Sequence, residues 1–525
     1  MKKTMRQHSF TTRLKSLAVV FGIALAFASC ANEDVAQNPT NPNEDSDKNL
    51  TTFVAGDETK TRTSMDYNSG DFFWEAGDYI YVKDDNNVWQ MSSNAPTSKV
   101  ATFKYKVPGK FTASTSYKVY YLGKYSCGRQ GTISTYQYQK APDNTEHFGT
   151  AGDYGTATAT GILGGGTFSF QLEHQPAYLV FQPYTSNTIL KKCYLTKVEV
   201  ISDNDIAETY TINSSTDNLD GSAGSKKIVL NTVGSSNPNG FPLTNSSASR
   251  TTNGAYMIIK PGTHALRVRY WIRDVETNVG GTITKLLPSI AYASNTYYDI
   301  TANLDVMRNY DGDHYYMWDA QQQYWYGYEW NKNLPAGTRQ PISESQPAGN
   351  YAQSSTDLRY WNQTSANPRY DAIHSCADLP NANEMAWYAK EGSPHWDDEV
   401  WTSMGHLYSG GMWFKKKAYI SGFNSETAPD GTDWRKVMKF ESWSASTTLL
   451  SASEANYYFF LPAFGYYENG KLRLSNGGTY WSSSAHPYNS DGRYCLYFQS
   501  NNVSVGSSSG HNGCRAQKFS DFGDN

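Results

Sequence analysis

Phe72-Phe-Trp-Glu-Ala-Gly-Asp-Tyr-Ile-Tyr-Val82 decides the fold class. Its aromatic and β-branched side chains favour an extended chain, because they pack well on a pleated, half-buried surface. Ala76-Gly-Asp78 interrupts the run and reads as a turn rather than a metal site. Outward from it, Ala101-Thr-Phe-Lys-Tyr-Lys-Val107 and Tyr117-Lys-Val-Tyr-Tyr-Leu122 repeat the pattern, and their spacing suits a β-sandwich over residues 51–168. A second set opens at Thr167-Phe-Ser-Phe-Gln-Leu172. It continues through Ala177–Phe181, Thr196–Ile201, Lys227–Leu230, Tyr256–Lys260 and Leu266–Ile272, and closes at Tyr297–Leu304. Alternation such as Leu-x-Val-x-Tyr puts one face in a core and leaves Lys, Arg and Glu outside, giving a second sandwich over 169–308.

The chain of 525 residues is long enough for about three or four domains. Its 40 Tyr, 22 Phe, 14 Trp and 42 Gly, with only 18% charged residues, describe aromatic strands joined by turns, so the class is mainly β. A net charge of −4 and scattered lysines give no basic footprint for nucleic acid. Lys415-Lys-Lys417 reads as a solvated strand end.

Residues 309–525 differ. Tyr315–Trp330 packs eight Tyr and Trp into sixteen residues, which suits a small domain filled by large side chains. Within Leu379–Gly392, Asn381 and Glu384 stand at N-cap and N3 spacing and Gly392 follows as a stop, predicting a helix over 382–391 with Met385, Tyr388 and Ala389 buried. This makes the third domain α+β.

At the amino terminus, Lys2, Lys3, Arg6, Arg13 and Lys15 precede the apolar run Leu17–Ala28 and the small pair Ala28-Ser29, the pattern of a signal peptide over 1–29. The run is well short of the ~20 residues of a membrane-spanning helix. Cys30 directly after small residues resembles the lipobox of bacterial lipoproteins, with Phe27 in place of the usual Leu. The resemblance implies a lipidated Cys30 anchored in the outer membrane, each buried CH₂ contributing ~0.8 kcal/mol. Residues 30–50, rich in Pro, Asn and acids, form a flexible linker. The acids of Ala31-Asn-Glu-Asp34 resemble the export signal of surface-displayed lipoproteins. With Cys30 acylated, five of the six cysteines remain and at least one thiol is free.

Thr61-Arg-Thr-Ser64 followed by Phe73–Val82, with Leu172–Phe181 and Tyr297–Leu304, resembles the fimbrillin-like lipoproteins, the subunits of type V pili. Over residues 50–308 the resemblance implies two β-sandwiches of transthyretin-like topology. It also implies a cut between Arg62 and Thr63 by an arginine-specific protease, which removes the lipid segment and opens a groove for a partner subunit's strand.

Phe460-Leu-Pro-Ala-Phe-Gly465, Tyr480-Trp-Ser-Ser-Ser484, Arg493–Phe498 and Gly513-Cys-Arg515 after the helix resemble the FISUMP (major paralogous) domain, which is similar to a C-type-lectin-like fold. Pro380-Asn381 stands where that family has Pro-Thr. In such a fold the helix start and the last strand lie together, which implies a disulfide between Cys376 and Cys514 and leaves Cys495 a buried thiol.

No catalytic constellation emerges. Trp396-Asp-Asp-Glu399 offers adjacent carboxylates but reads as a solvated helix start, and Asp311-Gly-Asp313 lacks the further ligands of a calcium loop. Glu-Pro-Asn, Gln-Pro-Asp and Trp-Asn-Asp are missing, so no calcium-dependent sugar site is expected. Ser482–Ser484 have no nucleophile elbow around them and read as turn-bonding hydroxyls. The expectation is a non-enzymatic, cofactor-free and metal-free subunit or adhesin on the cell surface. It assembles with other fimbrial subunits by donor-strand exchange, ends a fibre, and binds a host or bacterial surface glycan or protein. The alternative is a surface glycan-binding lipoprotein serving nutrient capture.

Overall fold

The structure, a computed structural model, describes residues 5–9, 49–56, 64–66, 71–124, 126, 129–305, 307–363, 371–451, 453–474 and 477–524. The fold is mainly β. It divides into two compact units, one of Met1–Thr185, Leu195–Tyr270 and Lys285–Asn303, the other of Ser186–Tyr194, Trp271–Thr284 and Leu304–Asn525.

In the first unit one sheet runs in the order Trp89–Met91, Tyr81–Lys83, Ser116–Tyr121, Gly155–Gly161, Thr167–Phe170, Leu50–Ala55, Phe103–Pro108. Its core is aromatic, with Phe53, Trp74, Tyr105, Phe111, Tyr117, Tyr121 and Phe168 all buried. Ala76–Asp78 makes the expected turn. Gly77 takes φ +84°, a left-handed conformation that favours glycine. Asp78 is buried and accepts hydrogen bonds from the Glu75 amide at 2.7 Å and the Tyr121 hydroxyl at 2.9 Å, tying turn to core.

Thr167–Phe170 does not open a second sandwich. It pairs in parallel with Leu50–Ala55, Phe168 opposite Phe53, and so completes the first sheet. Conversely, Gln130–Thr132 pairs with Ala207–Ile212, and Tyr136–Tyr138 pairs with Lys227–Asn231. Strands from the two expected sandwiches are thus interleaved within one unit. Alternation says which face of a strand is buried and is silent on its neighbour.

A further sheet orders Met5–Ser9, Thr296–Asn303, Ala177–Tyr184 and Ala255–Ile259. Buried Gln137, in the strand Tyr136–Tyr138, and Gln139 just after it bond the outer strand of this sheet through their side chains. The Gln137 amide donates to Ile258 O at 2.8 Å and accepts from Ile258 N at 3.0 Å, and Gln139 does the same for Gly254 O at 2.9 Å and Tyr256 N at 2.7 Å. Side-chain amides here replace the peptide groups that an exposed edge would lack.

The second unit contains a meander of His395–Ser403, His406–Lys415 and Tyr458–Pro462. It also contains a sheet ordered Tyr315–Tyr316, Cys514–Arg515, Gly477–Ala485, Gly492–Gln499, Asn502–Ser509, Glu441–Ser444. The helix spans Ala382–Glu391 with a full capping box: Asn381 accepts from the Asn383 and Glu384 amides, and Glu384 accepts from the Asn381 amide. Met385, Tyr388 and Ala389 are buried beneath it as expected. The Ser484 hydroxyl receives the Ala382 amide at 3.1 Å, which gives the serine run its structural use. Trp396–Glu399 is not a helix start. It lies in strand His395–Ser403, with a bulge between Asp397 and Val400.

Candidate functional site

Leu50-Thr-Thr-Phe-Val-Ala55 is an inner strand of the first sheet. It pairs antiparallel with Phe103–Pro108 on one side and parallel with Thr167–Phe170 on the other. Beyond the ladder, Thr52 N donates to Gly166 O at 3.0 Å and Gly56 N to Phe170 O at 3.1 Å. Alternation buries Phe53 and Ala55 completely and leaves Thr52 and Val54 partly exposed.

Phe53 is the anchor. Its ring stacks on Phe168 at 5.3 Å between centroids and meets Phe111 edge-on at 5.1 Å and Tyr117 at 6.4 Å. Burying such a ring is worth ~2–3 kcal/mol. Asp85 fixes the floor of the seat by accepting from the Tyr117 hydroxyl at 2.7 Å and from the Thr112 and Ala113 amides. Burial alone would raise the Asp85 pKa, but these bonds outweigh it and the net shift is downward.

Cys30, Arg62 and Thr63 lie outside the described residues. Chain order puts Leu50–Ala55 after Cys30 and before Arg62, and the next described strand, Ser64–Asp66, pairs with Asp71–Phe73. A cut after Arg62 therefore severs the inner strand, together with everything before it, from the rest of its sheet. The sandwich expected from residue 51 begins one residue earlier, with the strand that opens at Leu50.

Cys376 and Cys514, expected to be joined, are separate thiols, and Cys193 and Cys495 are free as well. Cys376, Cys495 and Cys514 share one buried cluster, so the expected proximity of helix start and last strand is present without the bond. The Cys376 sulfur instead accepts the Asp319 amide at 3.3 Å. Burial pushes the Cys495 thiol up to about 12, in keeping with the inert thiol expected there.

The second unit carries a groove of about 810 Å³ beside Trp330, with Asn331, Arg339, Gln340, Gln346 and His406 among its lining residues. The sequence reading passed over it, because these residues come from loops and a hairpin turn with no periodic pattern.

No family model matches the sequence, and no curated protein matches it. Among solved structures, a candidate cell adhesion protein from Bacteroides uniformis shares 14% identity, covering 49% of this chain and 93% of that one with a TM-score of 0.27. A fimbrial protein from Bacteroides ovatus shares 11%, covering 89% of this chain and 98% of that one with a TM-score of 0.23. The fimbrial anchor protein Mfa2 from Porphyromonas gingivalis shares 10%, covering 45% of this chain and 82% of that one with a TM-score of 0.21. Superpositions this loose do not assign the chain to a family.

Proposed function

We propose that the protein is a cell-surface fimbrial subunit, delivered as a lipoprotein through Cys30 and cut between Arg62 and Thr63, that accepts a partner subunit's strand in the seat of Leu50–Ala55. The observation that supports this reading is the position of that strand: inside a sheet, bonded on both sides through main chain, over an aromatic floor, and N-terminal to Arg62. Removing it would leave two strand edges beside an uncovered apolar trough, which is costly alone and suited to strand addition, where main-chain bonds supply affinity and alternate pockets supply specificity. Loss of residues 1–29 would also bare the edge of Thr296–Ile300 on which Met5–Ser9 lies. Residues 309–525 follow the strand seat and belong to the second unit, and on this reading the chain accepts a strand without offering one and ends a fibre.

The test is treatment of the mature protein with an arginine-specific protease, followed by mixing with a fimbrillin that has a free donor strand. A cleaved monomer that pairs with the fimbrillin and forms no long homopolymer supports the reading. Long homopolymeric fibres, or resistance to cleavage at Arg62, overturn it. A second reading, a glycan-capture lipoprotein that keeps its lipid and its strand, is favoured by the groove beside Trp330. Resistance to the protease is the outcome it expects.

A further inference from the structure

We infer that the groove beside Trp330 is a binding site for an acidic saccharide, a pyranose that carries a carboxylate. This rests on the second unit being an outward-facing binding domain, and it is independent of strand exchange.

The site is built by one buried side chain. Gln340, only 3% exposed, accepts from Trp330 N at 3.4 Å and donates to Gly312 O at 3.0 Å, while its own amide donates to Tyr328 O at 2.8 Å. This staple fixes both ends of the loop from Tyr328 to Gln340, and with them Trp330 and Arg339. Gly405 brings bare backbone against the six-membered ring of Trp330. A Cβ there would stand 3.2 Å from the indole, and φ of +74° excludes most side chains anyway. Trp330 is consequently held in place yet only half-buried, with part of the indole lining the groove.

Charge selects the ligand. Arg359, Arg435, Arg473, Arg493 and Arg515 of the same unit all donate to carboxylates or carbonyls. Arg339 is exposed and has no partner among the described residues. It lines the groove together with His406, and no Asp or Glu lines it. A guanidinium with its fork unoccupied fits a carboxylate bidentately. The indole offers an apolar surface for the C–H face of a sugar ring, and the exposed amides of Asn331 and Gln346 supply donors and acceptors for hydroxyls.

Calorimetric titration of the full mature protein with sialyllactose, trigalacturonate and lactose tests the inference. At least one acidic probe should bind roughly tenfold or more tightly than lactose, as expected for a charge-assisted pair, with an affinity that falls as salt rises. Arg339→Ala should abolish that preference and melt like the parent. Binding of one acid and not the other identifies the sugar class. Lactose binding as tightly as both acids, no binding of either acid, or unchanged acid binding by Arg339→Ala overturns the inference. None of these outcomes depends on cleavage at Arg62.

Discussion

Leu50–Ala55 in the first unit and Arg493 in the second both sit at the centre of aromatic cores, and they are held by different kinds of bond. The strand is held by peptide groups, which are the same in every sequence, and by two inward side chains, Phe53 and Ala55. Arg493 is fully buried with its guanidinium between Trp318 at 4.6 Å and Trp361 at 4.8 Å, and it donates to the carbonyls of Ser490, Gly492 and Asn362. Arg515 repeats the device over Phe464 and Tyr315. One centre can be refilled by another strand with matching alternation. The other is shaped around a planar cation that meets two rings and three carbonyls at once, so on the proposed reading exchange belongs to the first unit and permanence to the second.

The largest effect should come from emptying the second centre. Arg493→Ala leaves three carbonyls without their donor and opens a void between two indoles, for a loss of about 4 kcal/mol. Arg493→Lys should recover little, since an ammonium cannot lie flat between two rings or reach three acceptors at once. Denaturant unfolding followed by Trp fluorescence should show the loss in one transition. A loss below about 1 kcal/mol would mean that the sandwiched cation does not hold the unit.

Next is Phe53→Ala, which should destabilise the intact first unit by about 3 kcal/mol. In protein cleaved after Arg62 and refilled with a donor peptide, the same substitution should cost nothing, because Phe53 has left with its strand. An equal loss before and after cleavage would show that the strand stays seated and that the two centres are alike.

Local chemistry was legible in the sequence, and long-range pairing was not. The turn at Ala76–Asp78, the capping box at Asn381 and the buried Cys495 follow from near neighbours and composition, and all three are present. Thr167–Phe170 was assigned to the wrong set because its partner, Leu50–Ala55, lies more than a hundred residues away and both runs alternate equally. Trp396–Glu399 looked solvated because consecutive acids are rare in half-buried strands, and the bulge that admits them has no sequence marker. The Cys376–Cys514 pairing was inferred from proximity alone, and proximity did not include the use of the Cys376 sulfur as an acceptor for Asp319. Neither the Gln340 staple nor the lone Arg339 could be read, since both are defined by what folding brings, or fails to bring, beside them.

Glu399 puts a smaller and pH-dependent strain on the permanent unit. Burial, and then the charge of Asp397, push its carboxyl up to about 7, with Arg308 acting in the opposite sense. A carboxyl whose folded pKa lies above its unfolded value favours the fold while protonated. Its contribution is therefore complete below pH ~4.5 and is lost as pH rises through 7. Glu399→Gln imitates the protonated acid and should gain about 2 kcal/mol at pH 8 and nothing at pH 4. Denaturation curves at pH 4, 6 and 8 check this, and a gain independent of pH would remove Glu399 as its source.

The smallest effect lies at the helix start, where Asn381 caps Ala382–Glu391. The Asn381 carbonyl oxygen accepts from the Asn383 amide at 2.9 Å and the Glu384 amide at 3.1 Å, work that a threonine hydroxyl also performs. Its amide nitrogen does something threonine cannot, donating to Ser425 O at 2.9 Å. Asn381→Ala forfeits both and should cost about 1 kcal/mol. Asn381→Thr restores the cap alone, so its stability should fall between the two, and the gap from Asn381 measures the tie between the helix and the Ser425 loop. If Asn381→Thr matches the parent, that tie contributes nothing and the residue is an interchangeable cap. If it matches Asn381→Ala, the contact with Ser425 and not the capping box holds this end of the helix, and even a residue chosen for local reasons is fixed by its distant neighbour.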